Sequence, residues 1–280
     1  MRLLQEYYTL SNGRTIPKIG FGTAPLKGEE AYQAVRDALD AGYRHIDTAA
    51  IYGNEEEVGR AVRDSKIPRE KLYITSKLDA SIKSYEHAIA AFHESLKRLG
   101  MDYLDLYLIH APWPWNEKFS DHKEGNVAAW RALEKIYEEG LANAIGISNF
   151  DPDDIQNILD NGTVVPHVNQ IKYHIGHPQK ATRELCNRHN ILVEAYSPLG
   201  RGGVLTDERV VAMAKKHGVT PARLCVRYVL EKGALPLPRS SNPTHIKANA
   251  DVDFTLSDKD IKTLDSLVID TIEFGTPKKD

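Results

Sequence analysis

The chain has 280 residues, 41% of them hydrophobic and 27% charged, which excludes a fibrous or disordered protein and suits a globular one. Its formal charge of −3 is near balance and no basic stripe is present, so we expect no nucleic-acid partner. No stretch approaches the roughly 18 to 20 apolar residues that a membrane span needs, so we expect a cytoplasmic protein without a membrane partner.

Short apolar or β-branched runs alternate along the chain with segments of helical periodicity, which predicts strand–helix units around a parallel sheet. Ahead of them, Asn12-Gly13 predicts a β-hairpin that pairs residues 7–10 with residues 15–17. The predicted strands are residues 18–23, 44–49, 72–77, 104–110, 144–149, 167–174, 192–199 and 235–240. Helical periodicity covers residues 29–41, 84–99, 126–139, 178–189 and 221–232.

Several helix ends carry recognisable signals. Asp151 before a proline predicts an N-cap, and glycines stand where helices should end, at Gly42, Gly100, Gly140 and Gly218. Eight units without a flexible linker predict one domain over residues 1–280, an α/β fold of the (β/α)8 TIM-barrel type with the hairpin closing one end. No glycine-rich dinucleotide fingerprint follows the first strand, which argues against an open doubly wound sheet.

Polar residues follow three neighbouring strands, where a barrel of this kind carries its chemistry. Asp47 and Tyr52 follow the second strand, Lys77 ends the third and His110 ends the fourth. A phenol with a pKa of about 10 is a weak acid at neutral pH, so we expect Lys77 to stabilise the Tyr52 phenolate. Asp47 is placed to balance Lys77, and His110 to orient a substrate carbonyl. Each residue taken alone also suits a structural role in a turn, at the rim or in the core.

Several segments of the chain resemble the aldo-keto reductase family, over residues 18 to about 249. They are residues 42–49 with Tyr52, Glu55 and 58–59, then 106–112, 146–150, 168–170 and 196–200. The resemblance implies reduction of aldehydes or ketones to alcohols, with a hydride from the nicotinamide C4 of NADPH. It also implies a catalytic tetrad of Asp47, Tyr52, Lys77 and His110, in which Tyr52 delivers the proton.

The same resemblance implies a nicotinamide site in which Ser148, Asn149 and Gln170 hold the carboxamide and Tyr196 stacks on the ring. Such a platform restricts the tilt of the ring, which hydride transfer requires. Further cofactor contacts are expected from Gly22, Thr23, Ser197, Pro198, Leu199 and Arg201. We expect residues 197–203 to form a flexible glycine-rich loop whose backbone lies against the pyrophosphate.

The adenosine end departs from the family pattern, because this chain has Arg239, Ser240, His245, Ala248 and Asn249 there. Arg239 can bind a 2′-phosphate bidentately and Ser240 can add a hydroxyl, whereas the family's usual arginine and glutamate are missing. We expect Arg239, Ser240, His245 and Asn249 to contact the cofactor, with NADPH favoured and NADH as the alternative.

Candidate substrate contacts are less specific. Ala24, where many family members have tryptophan, should widen one wall of the pocket, and Ile51 is a candidate wall residue beside Tyr52. Trp113 and Trp115 could line the substrate or simply pack at the rim. The short tail at residues 269–280 suggests an open pocket with modest discrimination.

Other residues have simpler interpretations. His174 and His177 lack a third ligand, so we expect solvated loop histidines and no metal. Cys186 and Cys225 are predicted to be buried, reduced thiols, and we expect a monomer. Two alternatives stay open, a cofactor-binding regulatory barrel without turnover and an aldolase that uses Lys77 as a Schiff-base nucleophile.

Overall fold

The computed structural model describes residues 2–269. A hairpin of two antiparallel strands, β1 (Tyr7–Thr9) and β2 (Thr15–Pro17), comes first. Eight parallel strands among the described residues then pair in chain order. They are β3 (Phe21–Gly22), β4 (His45–Asp47), β5 (Tyr73–Leu78), β6 (Leu106–Ile109), β7 (Ile145–Ser148), β8 (Val168–Lys172), β9 (Leu192–Tyr196) and β10 (Leu235–Leu237).

Helices lie between consecutive strands of the barrel and after the last one. They are α1 (Gly28–Asp40), α2 (Glu55–Asp64), α3 (Tyr85–Leu99), α4 (Lys123–Glu138), α5 (Pro152–Asn161), α6 (Lys180–Arg188), α7 (Glu208–Lys216), α8 (Pro221–Glu231), α9 (Pro243–Ala250) and α10 (Asp258–Asp265). Short 3₁₀ helices span Arg2–Gln5, Ala50–Tyr52 and Arg69–Lys71, and a 3₁₀ segment with a kink at Arg201 and Gly202 spans Gly200–Thr206.

Backbone hydrogen bonds join the first and last strands of the sheet. Gly20 N donates to Pro236 O and Gly22 N donates to Pro238 O, each at 3.1 Å. The predicted TIM barrel is therefore confirmed. The predicted strands overran the observed ones at several ends. At the carboxyl ends the extra residues belong to the segments that carry the candidate site residues, whereas β5 ends one residue later than predicted, at Leu78.

The predicted helix signals also hold. Asp151 caps α5 in a capping box, accepting hydrogen bonds from the amides of Asp153 and Asp154, and a proline opens the helix. Gly100 ends α3 in the left-handed conformation, with φ of 64°, which a residue with a Cβ adopts only at a cost. The Asp151 cap therefore fixes where α5 begins, and Gly100 fixes where α3 ends.

The hairpin covers one end of the barrel, as predicted, and the end it covers is the one opposite the carboxyl ends of the strands. Leu10 and Ile16 of the hairpin segment are buried against strand side chains that point into the barrel. Tyr8 OH donates a hydrogen bond to Ala234 O at 3.4 Å. The larger apolar core lies between the sheet and the surrounding helices, and includes the fully buried Trp130 and Phe92. Removal of this apolar surface from water stabilises the barrel.

Some expectations need correction. His174 is not a solvated loop residue, because it is buried and its Nδ1 lies 2.8 Å from Ile175 O. Cys186 and Cys225 are free, buried thiols, as predicted. Among residues 2–269, no helix combines the length and apolarity needed to cross a membrane. The predicted tail, apart from its first residue, lies outside the described residues.

Candidate active site

A buried ion pair lies at the carboxyl ends of β4 and β5. Lys77 Nζ donates hydrogen bonds to Asp47 Oδ1 at 2.7 Å, to Asp47 Oδ2 at 2.9 Å and to Thr48 O at 2.8 Å. The Lys77 side chain is fully buried, and three acceptors match the three hydrogens of an ammonium group. The amide and the hydroxyl of Thr23 both donate to Asp47 O, each at 3.0 Å. Hydrogen bonds from Lys77 on β5 and from Thr23 after β3 therefore hold Asp47 in position.

Tyr52 and His110 lie beside this pair. The Tyr52 ring centroid is 5.1 Å from Lys77 Nζ. Tyr52 OH is 3.4 Å from His110 Nε2, and the two rings meet edge to face. The backbone of His110 is anchored on both sides, since its amide donates to Leu78 O at 3.2 Å and its carbonyl accepts from Asn149 Nδ2 at 2.8 Å. The structure therefore brings together the four residues that the sequence singled out.

The protonation of these groups follows from burial and charge. Burial raises the pKa of Tyr52 above its ordinary value, and the Lys77 cation offsets only part of that rise. Lys77 lowers the pKa of Tyr52 as expected, but this effect is smaller than the rise caused by burial. Burial favours a neutral Lys77, but Asp47 and Tyr52 outweigh burial and leave the pKa of Lys77 raised. Burial and Lys77 lower the pKa of His110 well below 6.5, so its imidazole is neutral at pH 7.

Polar side chains on β7, β8 and β9, and directly after β7, form a hydrogen-bonded group next to the ion pair. Ser148 Oγ donates to Gln170 O at 2.8 Å, and Asn149 Nδ2 lies 3.1 Å from Ser148 Oγ. Tyr196 OH donates to Asn149 Oδ1 at 2.7 Å, which holds the phenol ring at the barrel mouth. Gln170 Nε2 donates to Asp47 Oδ2 at 2.8 Å, which connects this group to the ion pair.

The backbone is strained at the same end of the barrel. Asn149, Ser197 and Arg201 have positive φ values of 62°, 51° and 54°. Non-glycine residues in this region cost of order 1–3 kcal/mol each and concentrate at functional sites. Residues 200–206, where we expected a flexible glycine-rich loop, form 3₁₀ turns that are interrupted at Arg201 and Gly202, whose φ values of 54° and 91° are not helical. The contact of this segment with the pyrophosphate stays a prediction.

The residues expected at the adenosine end gather around β10 and α9. Arg239 and Ser240 follow β10, while His245 is exposed on α9 and Asn249 is buried there. A Cβ built on Gly22 would lie 4.0 Å from the Arg239 Cβ, so β3 and the segment after β10 are in close contact. Arg239 is thereby placed at the rim of the barrel, beside the amino end of α9.

Aromatic rings after β6 pack onto His110 and onto each other. The His110 and Trp115 ring centroids are 5.2 Å apart, and those of Trp113 and Trp115 are 5.4 Å apart, both edge to face. Ala24 is half-buried after β3. Ile51, in contrast, lines a surface pocket with Asp79 and four further described residues, among which none of the proposed tetrad appears. The substrate walls expected at Ile51 and at Trp115 both stay predictions.

The family model described as the Aldo/keto reductase family matches residues 18–269 of this chain. The chain belongs to the aldo-keto reductase family. Membership makes it an NAD(P)H-dependent oxidoreductase that acts on carbonyl groups.

Individual relatives match this reductase over nearly their whole lengths. An aldo-keto reductase of Mycolicibacterium smegmatis is 43% identical over 260 residues, which cover 92% of this chain and 92% of the relative. The glyoxal reductase of Bacillus subtilis is 41% identical over 94% of this chain and 93% of its own length. The crystal structure of a Bombyx mori aldo-keto reductase in complex with NADP has a TM-score of 0.85 and 33% identity, and the match covers 93% and 92% of the two chains.

Sequence reasoning missed one acidic residue in the core of the reductase. Glu194 on β9 is fully buried, and its Oε2 accepts a hydrogen bond from Gln170 Nε2 at 2.8 Å. Alternate residues of a strand face the same side, so Glu194 shares its face with Tyr196. A lone acid inside an otherwise apolar strand was the available signal.

Proposed function

We propose that this reductase uses NADPH to reduce aldehydes or ketones to alcohols, with Tyr52 delivering the proton. The observation that carries the proposal is the buried Lys77–Asp47 pair beneath Tyr52, with His110 Nε2 3.4 Å from the phenol oxygen. The phenol can donate a proton to a carbonyl oxygen, the cation can stabilise the phenolate that is left, and the neutral imidazole can orient the carbonyl.

The residues around the mouth fit a nicotinamide. Bound NADPH would supply the hydride from C4 of its ring. Tyr196, fixed through Asn149, offers an aromatic face, and Ser148, Asn149 and Gln170 offer amide and hydroxyl groups to a carboxamide. The strained backbone at Asn149 and Ser197 supports this assignment, because strain of that kind is retained where a site requires it.

The phosphate end rests on Arg239 and Ser240. A guanidinium matches a phosphate bidentately, and NADPH differs from NADH by its 2′-phosphate. His245 is exposed on α9, where a ring nitrogen can donate a hydrogen bond to a phosphate. We therefore propose that NADPH is preferred over NADH.

Proton transfer depends on the charge next to Tyr52. Lys77 is fixed as an ammonium by both oxygens of Asp47, so a positive charge faces the phenolate that forms as the proton leaves. His110 is neutral and can donate a hydrogen bond to the substrate oxygen from a ring nitrogen. Trp115, packed on His110, supplies an apolar surface for the remainder of the substrate.

A Schiff-base aldolase is disfavoured by the surroundings of Lys77. A nucleophilic lysine has to be a neutral amine, and such lysines have lowered pKa values. Here the pKa of Lys77 is raised and all its hydrogens have acceptors. Borohydride trapping with substrate is therefore expected to leave the mass of the protein unchanged.

The test is oxidation of NADPH, then of NADH, followed at 340 nm with a panel of aldehydes, α-keto esters, diketones and sugars. Tyr52→Phe should lower turnover by about 10²- to 10⁴-fold, the usual contribution of a general acid, and retain NADPH binding. Tyr7→Phe, which removes a half-exposed phenol from the opposite end of the barrel, is the matched control and should turn over normally. Tight NADPH binding without turnover on any carbonyl would instead support the regulatory barrel.

A further inference from the structure

A chain of hydrogen bonds continues from the ion pair into the barrel interior. Gln170 Nε2 donates both to Asp47 Oδ2 and to Glu194 Oε2, each at 2.8 Å. Gln170 and Glu194 are also register partners on β8 and β9. Lys77, Asp47, Gln170 and Glu194 therefore form one connected buried network, of which the proposed reaction uses only the first three.

The network fixes the orientation of the Gln170 amide. Two carboxyl groups face its nitrogen, and an amide nitrogen carries two hydrogens, one for each acceptor. The opposite orientation would set the amide oxygen against the Asp47 carboxylate, which has no hydrogen to donate, and lose that hydrogen bond. The Oε1 atom of Gln170 is thereby left as the acceptor that can receive the NH₂ group of a carboxamide.

The charges around Glu194 decide how it takes part. The network holds one cation, Lys77, for two carboxyl groups, and Asp47 already bonds that cation through both oxygens. His45 Nε2 lies 4.0 Å from Glu194 Oε1, but burial and Lys77 lower the pKa of His45 to about 3, so it stays neutral. Burial and Asp47 raise the pKa of Glu194 to about 8. Glu194 is therefore a neutral acid at pH 7 and accepts the Gln170 hydrogen bond without a counterion.

One more ionisable group faces this acid. Tyr73 on β5 stacks edge to face on His45 with 5.0 Å between ring centroids. Burial, Glu194 and Asp105 raise the pKa of Tyr73 well above 10, so it stays neutral across the working range. Glu194 is thus the group in its surroundings whose charge changes just above neutral pH.

We propose that Glu194 is a positioning residue which, through Gln170, fixes the amide that receives the nicotinamide carboxamide and steadies Asp47 against Lys77. The inference rests on the proposed function. When Glu194 loses its proton, a second negative charge enters the network and opposes formation of the Tyr52 phenolate, so reduction slows.

Three variants of the full-length enzyme test this role. Glu194→Leu removes the acceptor, Glu194→Gln keeps an acceptor oxygen but cannot ionise, and Glu55→Gln is the control. Glu55 is a buried acid that accepts from Ser76 Oγ at 2.5 Å and from Arg98 Nε at 2.6 Å, apart from the network. The readouts are the Kd for NADPH from protein fluorescence, and kcat and KM for a carbonyl substrate between pH 6 and 9.5.

Glu194→Leu should raise the Kd for NADPH by about tenfold, the effect of one lost hydrogen bond in a buried site, and Glu194→Gln should recover most of that affinity. The wild-type kcat should fall as the pH rises through about 8, whereas the Glu194→Gln profile should stay flat until Tyr52 itself titrates. Glu55→Gln should follow the wild-type profile.

Unchanged NADPH affinity in Glu194→Leu, or superimposable pH profiles of wild type and Glu194→Gln, would overturn the proposal. If Glu194→Leu does not fold, the comparison of the wild-type and Glu194→Gln profiles decides alone. If the wild type binds NADPH without turnover, the proposed reduction is wrong. The NADPH Kd values of wild type and Glu194→Leu would still test the role of Glu194. A wild type that does not bind NADPH would defeat both.

Discussion

Replacing Glu194 with glutamine should change how the stability of the barrel depends on pH. Its pKa is raised from 4.5 to about 8 in the folded chain. Between these values the unfolded chain has lost the proton and the folded chain has kept it. The folded state therefore binds more protons, and the wild type loses stability as the pH rises through this window.

The size of the effect follows from the two pKa values. Each pH unit inside the window corresponds to about 1.4 kcal/mol, so Glu194 lowers the free energy of unfolding by about 3 kcal/mol at pH 7. At pH 5 the effect is below about 1 kcal/mol. Glu194→Gln does not ionise, so its advantage over wild type should grow by about 2 kcal/mol between pH 5 and pH 7.

Guanidinium chloride unfolding at pH 5, 6, 7 and 8 measures this difference, provided that the m-values of the two proteins agree. Any change that does not depend on pH, such as altered packing of the amide, shifts all four values equally and cancels from the slope. Glu55→Gln should instead lower stability at pH 7, because Arg98 loses its buried carboxylate partner. A constant difference between wild type and Glu194→Gln from pH 5 to pH 8 would refute a neutral Glu194.

Three further predictions concern the ion pair, the phosphate end and a helix cap. Lys77→Met should lower the free energy of unfolding by about 3–5 kcal/mol, because it leaves Asp47 buried without its cation. The double variant that also carries Asp47→Asn should regain stability in denaturant titrations but should not regain turnover at 340 nm. Arg239→Ala should raise the Kd for NADPH by about tenfold to a hundredfold and leave that for NADH unchanged, so equal losses would contradict the phosphate role. Asp151→Ala should reduce stability by about 1 kcal/mol with normal kcat, and altered kcat would contradict a purely structural cap.

Much of the architecture was predictable because local patterns determine it. Strand and helix periodicity, the Asn12-Gly13 turn and the cap at Asp151 each depend on a few adjacent residues, and each matches the structure. The convergence of Asp47 and Lys77 was also predictable, since parallel strands present their carboxyl ends at one face of a barrel.

The remainder depends on contacts that no local pattern specifies. The hydrogen bond from Gln170 to Asp47 joins residues 123 positions apart, and Glu194 enters the same network through Gln170. The sequence indicates a cation near Tyr52 but not the degree of burial, which is what sets the net direction of its pKa. Ile51 lies next to Tyr52 in the chain and its side chain is exposed, and chain adjacency alone does not determine whether that side chain lines the substrate site.

The hairpin that closes one end of the barrel also affects the order in which two molecules can bind and leave. Within residues 2–269, Leu10 and Ile16 block one end, so a molecule that reaches Tyr52 arrives past the carboxyl ends of the strands. Ser148 and Gln170 are buried, whereas Trp113 after β6 is half-buried. A molecule that binds against Ser148 and Gln170 therefore has to enter before a molecule that binds against Trp113, and has to leave after it. Because both molecules enter and leave through the same open end, binding and release should follow a fixed order. Product-inhibition patterns should therefore be those of an ordered two-substrate enzyme.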